Sequence, residues 1–532
     1  MLFTNLDEFT AQKQNPNRVV VIGAGAVGIH LAVQLVRAGR EVVVLEAGDE
    51  TLSNFSSDSY SVIGRKHEGI RLGRSVALGG TTNLWGGQLV EFNPLDFNGR
   101  DWLPGSKWPV SYEEFAPYYG PTYDALGIDQ DLQKDEFVWK SLKKDKPKLG
   151  TEVELFLSRW LKIPNLAAIF REEIETKPKL SVVLNTTVTG FTGRNGHIES
   201  LQACNSKGER HSITGESFVL SAGTIENARL LLHAAADESW ECPWKHNENV
   251  GKYFQDHLGG RVAMIKPRDS KAFYDLFCTI VLRSHKFQPK LRLFNELLDQ
   301  EPVLNNQVWI AFENSIKENL VFLKQFFQAA LYSRKIGSIS EFFRNAFACA
   351  RHMIPLMWKF VVEHRVLIPS GSRISLTVQA ETEPLRESQI KIDSSETNEF
   401  GLPKVLLDWQ LSSNEIHHLA SFTRRVEKAL QESELADLVV EPALLEEDPK
   451  FLDQLHDTNH HSGGCIMGES AEQGVVDRNL QVFGTDNLFA NGACIFRTNS
   501  NANCTFTAMA FATRLAEYLA KDSHEAGLPQ AD

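Results

Sequence analysis

Two adjacent histidines, His460 and His461, open the stretch "HHSGGCIMGES", and Asn503 follows some forty residues later in "TNSNANCTFTAMA". A pair of histidines suits a metal site, a catalytic base or a polar loop. The metal reading is weak here. Neighbouring side chains diverge, and no accompanying carboxylate or thiol motif completes a ligand set, so no metal site is expected. A neutral imidazole near pH 7 takes a proton from a hydroxyl, and an amide donor beside it steadies the oxygen that loses that proton. That chemistry needs an electron acceptor, and therefore elements that hold one.

"RVVVIGAGAVGIHLAVQLVRAGREVVVLEAG" supplies such elements. Val19 to Ile22 read as a buried parallel strand, followed by Gly23, Gly25 and Gly28 in G-x-G-x-x-G order and then a helical pattern ending at Gly39. "EVVVLE" is a second buried strand finishing at Glu46, 18 residues beyond Gly28. Gly23 allows the tight turn, Gly25 lets backbone approach a pyrophosphate, and Gly28 lets the helix pack closely with its N-terminus facing the negative charge. Glu46 is placed to accept from a ribose diol. Strand, glycines, helix, strand and terminal acid together make this a dinucleotide site. The unit by itself leaves FAD and NAD open.

Four further blocks decide between them by resemblance. "RLGRSVALGGTTNLWGGQLVEFNPLDFNGRDWLPGSKWPVSYEEFAPYYGPTYDALGI", "FVLSAGTIENARLLL", "NVGKYFQDHL" and "GVVDRNLQVFGTDNLFANGACIFRTNSNANCTFTAMAFATRLAEYL" resemble, in order, the glucose–methanol–choline (GMC) flavin oxidoreductases. The resemblance implies FAD, oxidation of an alcohol to a carbonyl, and an α/β fold. It also implies a Rossmann-like FAD domain built from discontinuous segments (18–125, 180–262 and 455–522) and a substrate domain of antiparallel sheet and helices (126–179 and 263–454), with 1–17 and 523–532 as tails. Gly79, Gly80, Thr81, Asn83, Trp85, Val188, Ala222, Gly223, Gly492, Ala493 and Thr505 are then expected at the cofactor, beside Gly23, Gly25, Gly28 and Glu46. The family pattern aligns His460 with the proton-accepting histidine and Asn503 with its amide partner, while His461 orients or packs. His257 takes a structural role. Reduction of the flavin is expected to rise with pH through an ordinary imidazole titration.

Departures sharpen the expectation. Leu84 stands where some members attach FAD through a histidine, which implies non-covalent FAD. Cys465 stands where many have threonine, and Cys504 replaces the proline after Asn503. Trp85 resembles the pyranose and fructose oxidoreductases, so a sugar or glycoside is the expected substrate. The alternatives are an apolar alcohol such as a sterol, or a lyase-like flavoprotein that performs no net oxidation. The electron acceptor is left open.

The 532 residues carry a net charge of −13 with 42% hydrophobic and 23% charged residues, which argues for a soluble protein and against general nucleic-acid binding. Seven cysteines without a C-x-x-C pair, no basic and apolar leader and no long apolar run suggest a cytoplasmic protein. In the middle region, Ile374, Leu376, Val378 and Ala380 alternate as a strand, as do Ile390 and Ile392, and "KVLLDWQL" reads as another. The family places such a sheet beneath the substrate. "SSNEIHHLASFTRRVEKALQES" predicts a helix with His417 and His418 on its surface. Residues 313–365 interleave basic and aromatic side chains, which points to packed helices, a partner surface or contact with a membrane surface.

Overall fold

The computed structural model describes residues 1–11, 15–52, 57–313, 338–350, 353–369 and 371–525. Its first layer is a six-stranded parallel sheet in the spatial order Leu2–Phe3, Leu180–Val183, Val42–Leu45, Val19–Ile22, Ser217–Leu220, Leu488–Ala490. Four of these strands, Val19–Ile22, Val42–Leu45, Ser217–Leu220 and Leu488–Ala490, are buried at every position. The continuous apolar runs therefore reflect a sheet covered on both faces. Ile22 pairs with Leu45 on one side and Leu220 on the other, so three strand ends meet at one edge.

Helix Ala26–Arg37 crosses between the first two motif strands and packs on the long helix Cys504–Glu525. Gly28 is required for that crossing, since a Cβ there would lie 1.9 Å from the Gly23 carbonyl oxygen. The Cys504–Glu525 helix is locked by aromatic packing. Phe511 lies 4.1 Å from Phe115 and 5.6 Å from Trp108 between ring centroids, and Phe506 lies 4.3 Å from Tyr123. These contacts fix the N-terminus of the helix, and Asn503 immediately precedes it.

The second large layer is a nine-stranded sheet whose pairings are antiparallel. Its central path runs Ala436–Val440, Leu258–Pro267, Arg373–Ala380, Gln307–Glu313, His285–Leu293, Val153–Trp160, Gln88–Leu89. Several sequence expectations shift here. Residues 1–17 are not simply a tail, because Leu2–Phe3 pairs with Val182 and Val183 at the sheet edge and Leu6–Thr10 is helical. The boundary at 262/263 falls inside the strand Leu258–Pro267, which joins the antiparallel sheet as one piece. Gln389–Thr397 and Pro403–Asp408 do not extend that sheet. They form a separate three-stranded sheet with Tyr60–Val62, because Val405 to Leu407 pair with Tyr60 to Val62.

Helix Glu415–Glu432 buries Ile416, Leu419, Phe422, Val426 and Leu430 on one face. His418 is buried as well, contrary to the surface placement, with Nδ1 3.1 Å from the Pro302 carbonyl oxygen and Nε2 3.3 Å from Glu383. Of the basic aromatic segment, 314–337 and 351–352 lie outside the described residues. The described part forms helices Ile339–Ala350 and Met353–Val361, with Phe343, Trp358, Phe360, Val361 and Val362 exposed. No described helix is long and apolar enough to cross a membrane.

Candidate active site

A cavity of about 730 Å³ opens between the two large sheets, and its wall includes Gly23, Gly25, Glu46, Gly80, Thr81, Trp85, Val188, Ala222, Gly223, Gly492, Ala493 and Thr505. His460, His461 and Asn503 line the same space. Three expected residues stand behind the wall. Gly28 packs against Gly23, Gly79 donates its N–H to the Ala24 carbonyl at 2.9 Å, and Asn83 staples the Gly-Gly turn. The Asn83 amide donates to the Leu78 and Gly80 carbonyls at 3.1 and 2.8 Å. Leu84 lines the cavity and offers no nucleophile there.

The wall suits a dinucleotide. Helices Ala26–Arg37 and Thr224–Ala236 both begin after a glycine N-cap, Gly25 and Gly223, with no side-chain cap, so their first-turn N–H groups are available to phosphate oxygens. Glu46 accepts from the Ala24 N–H at 2.8 Å and the Gly48 N–H at 2.9 Å. Burial raises the Glu46 carboxyl above its ordinary range, and those two N–H groups act against the rise. Each carboxylate oxygen still has a lone pair for a ribose hydroxyl.

The histidine loop is held at both ends. Gln255 and Ser462 exchange two backbone hydrogen bonds of 2.9 Å, and Leu258 and Gly259 pair with Asp457 and His456. Gly463 closes the clamp at φ +77°, where a Cβ would sit 1.9 Å from the Tyr253 carbonyl oxygen. Only glycine fits that approach. Between the clamps the His460 N–H donates to Asp256 Oδ1 at 3.0 Å.

His460 and Asn503 meet directly, with Asn503 Nδ2 3.0 Å from His460 Nε2. The other ring nitrogen has two neighbours, His257 Nδ1 at 3.0 Å and the Thr458 hydroxyl at 2.9 Å. Their roles follow from their own partners. His257 Nε2 lies 3.0 and 2.8 Å from the Asn499 and Ser500 carbonyl oxygens, which accept only, so the His257 proton is on Nε2 and its Nδ1 is an acceptor. The Thr458 hydroxyl donates to Asp256 Oδ1 at 3.2 Å, leaving its oxygen to accept. Both therefore favour a proton on His460 Nδ1, and the lone pair falls on Nε2, beside Asn503.

Desolvation pushes the His460 imidazole down to about 3; His257 and Lys290 act in the same direction, and Asp256 opposes them. The expected titration near neutrality is thereby displaced to acid. Enclosure by the fold, invisible in a local motif, is the cause.

His461 diverges from its neighbour. Its ring centroid is 5.1 Å from His67 and 6.0 Å from Phe254, and its carbonyl accepts from the Thr224 hydroxyl at 2.7 Å. Asp256 bridges the two surroundings, since its Oδ2 accepts from His67 Nε2 at 3.1 Å. Asp256, Thr458 and the orienting contact of His257 were missed in the motif reading. The "QDH" triplet was visible, but its contact to His460 requires residues 203 apart to meet.

Residues 384–512 match the family described as GMC oxidoreductase, and residues 4–74 match pyridine nucleotide-disulphide oxidoreductase. The chain is 23% identical to 2-methyl-1,2-propanediol dehydrogenase of Mycolicibacterium austroafricanum, across 94% of this chain and 95% of that protein. It is 32% identical to paromamine 6'-oxidase of Streptomyces fradiae, over 21% of this chain and 23% of that one. Among solved structures, formate oxidase superposes with a TM-score of 0.58 at 14% identity, covering 97% of this chain and 100% of that one. Pyridoxine 4-oxidase from Mesorbium loti gives 0.54 at 15% identity, covering 94% and 99%.

Proposed function

Since this chain belongs to the GMC oxidoreductase family and is an FAD-dependent oxidoreductase acting on alcohols, we propose that it oxidises a hydroxyl of a sugar or glycoside with His460 as base. The observation that carries this reading is the His460 Nε2 lone pair, held beside the Asn503 amide at 3.0 Å on the cavity wall. Gly23, Gly25, Gly80, Gly223 and Glu46 would hold the FAD. When bound, FAD supplies the acceptor for the hydride leaving the alcohol carbon.

The protein's own share is the proton and the oxygen. Substrate enters beside Asn503, and the hydroxyl proton passes to His460 Nε2 as the carbon loses hydride, leaving the carbonyl product. His460 is then an imidazolium whose Nδ1–H faces the His257 nitrogen and the Thr458 oxygen, with the Asp256 carboxylate behind the latter to offset its charge. Asn503 Nδ2, relieved of the imidazole, donates to the oxygen as its charge grows. A base in this role contributes about 10²–10⁴-fold.

A polar substrate is favoured over a sterol by the sheet face that carries the cavity residues Gln88 and Trp160, with further polar side chains behind them. Ser158, Gln288, Lys290, Gln307 and Gln379 share one face of the antiparallel sheet through the pairings Ser158–Gln288, Arg292–Gln307 and Gln307–Gln379 and the two-residue repeat along each strand. Gln379 donates to the Asn501 carbonyl at 2.7 Å, two residues before Asn503, and Gln88 on the cavity wall donates to Ser158 at 2.8 Å. Anaerobic titration of the yellow holoenzyme with sugars, glycosides and sterols tests the reading. Bleaching by a sugar or glycoside is expected, whereas bleaching by sterols alone would replace that substrate class, and a flavin that no alcohol bleaches would leave the lyase-like alternative.

A further inference from the structure

Lys290 lies on this polar sheet face, behind the cavity residue Gln88, at 2% exposure, with a single hydrogen-bond acceptor among the described residues, Gln88 Oε1 at 3.4 Å. Its ammonium also faces the Trp309 ring at 5.2 Å. Among the described residues no carboxylate offsets it; burial acts on the amine and pushes it down to about 7. Arg292, two residues along the same strand, is by contrast satisfied by Glu154 at 2.9 Å and Asn93 at 2.6 Å. In the next strand Gln307 is fully buried, and neither its amide oxygen nor its amide nitrogen has a partner among the described residues.

A buried amine with donors to spare and a buried amide with none of its bonds made are both costly. Folds keep such groups where a ligand completes them. The position fits a ligand reaching down from the catalytic pair. Gln88, the acceptor of Lys290, is itself cavity wall, in the same cavity that His460 and Asn503 line. One ammonium beside neutral donors, with the neighbouring Arg292 guanidinium already paired, suits a monoanion better than a phosphate dianion.

We propose that Lys290 and Gln307 form an anion-recognising floor, and that the substrate is a sugar bearing a carboxylate, which these two residues bind while a hydroxyl of the same molecule meets His460. This rests on the sugar reading above. It also counts against cationic aminoglycosides as substrates, because their ammonium groups would face Lys290.

The test is equilibrium binding to the oxidised holoenzyme, read from the flavin absorbance, with D-glucuronate, its neutral methyl ester and acetate. Glucuronate is expected to bind at least about tenfold more tightly than the ester in the unsubstituted enzyme, with acetate competing. Lys290→Met should erase that preference while raising the unfolding temperature, since it removes a buried charge that lacks a counter-ion. Equal binding of acid and ester in the unsubstituted enzyme, no binding of either carboxylate, or a preference that survives Lys290→Met would each overturn the proposal. Because the readout is binding, carboxylate recognition without bleaching by any sugar would leave the floor standing and overturn only the reaction assigned to it.

Discussion

At the residue scale, the arrangement around His460 makes a statement about which nitrogen works. The carbonyls of Asn499 and Ser500 dictate the His257 tautomer, and His257 with Thr458 dictates that of His460. His257→Leu removes one acceptor and leaves Thr458, so flavin reduction should slow, though less than in His460→Ala, with FAD retention unchanged. A rate equal to that of the unsubstituted enzyme would show that Thr458 alone sets the tautomer. The pH profile is a second check. With His460 held down at about 3, the lone pair on Nε2 is present throughout the neutral range. Stopped-flow reduction should show no imidazole-dependent rise between pH 5 and 8; a limb with an apparent pKa near 6.5 would mean that His460 is far better solvated than the fold indicates. His460 and Asn503 were picked out by resemblance to two short motifs of the family, and the structure brings the two side chains together. Lys290 and Gln307 were not picked out, since their meaning lies in burial and in missing partners, which no spacing encodes.

At the scale of elements, the nucleotide unit could be read almost residue by residue. Gly28 answers a short-range constraint, its close approach to the Gly23 carbonyl, and the strand, helix and second strand follow at once in sequence. The substrate sheet was harder to read. Ile374, Leu376, Val378 and Ala380 marked one buried face of Arg373–Ala380, but the intervening Ser375 and Gln379 are buried too, at 1% and 4% exposure. Alternation reveals two faces and says nothing about whether both are covered. Strand partnership was equally hidden, as shown by Pro403–Asp408, which pairs with Tyr60–Val62 from the far end of the chain. Two expectations belong to this scale. Glu46→Ala should weaken FAD retention on extensive dialysis with folding nearly intact, and undiminished flavin occupancy would remove Glu46 from the site. Phe511→Ala takes out a ring packed on Phe115, Trp108 and Phe496 and should cost about 3–5 kcal/mol in denaturant unfolding. A loss below 1 kcal/mol would show that this aromatic cluster does not anchor the helix that Asn503 precedes.

At the scale of the whole molecule, three buried histidines bear on acid stability. Desolvation lowers His30, His460 and His461 to about 3 each, with smaller contributions from nearby charges. The unfolded chain binds these protons below about 6.5 while the folded chain does not. Stability should therefore rise with pH between about 3 and 6.5 and fall as pH drops through that window. Calorimetric unfolding temperatures that stay level from pH 6.5 to 4 would contradict this. The charge distribution gives another whole-molecule expectation. In sequence, residues 313–365 carry a basic excess within a chain of net charge −13, and we propose that they meet an anionic lipid surface. In the described part, however, Arg344 and Lys359 are paired with Glu341 and Glu363 beside the exposed Phe343, Trp358 and Phe360. Co-sedimentation with anionic vesicles should fall as salt rises, and no binding at low salt would leave the segment as scaffold.

The central claim is that His460, and not its neighbour, takes the hydroxyl proton. Stopped-flow anaerobic flavin reduction in His460→Ala and His461→Ala, each loaded with FAD, tests it most directly. His460→Ala should reduce flavin about 10²–10⁴-fold more slowly, equivalent to roughly 3–5 kcal/mol of transition-state stabilisation, while its substrate affinity changes little. His461→Ala should lose far less, through lost packing against His67 and Phe254. Reduction abolished in His461→Ala and preserved in His460→Ala would contradict the account, as would two variants that both reduce flavin at the rate of the unsubstituted enzyme.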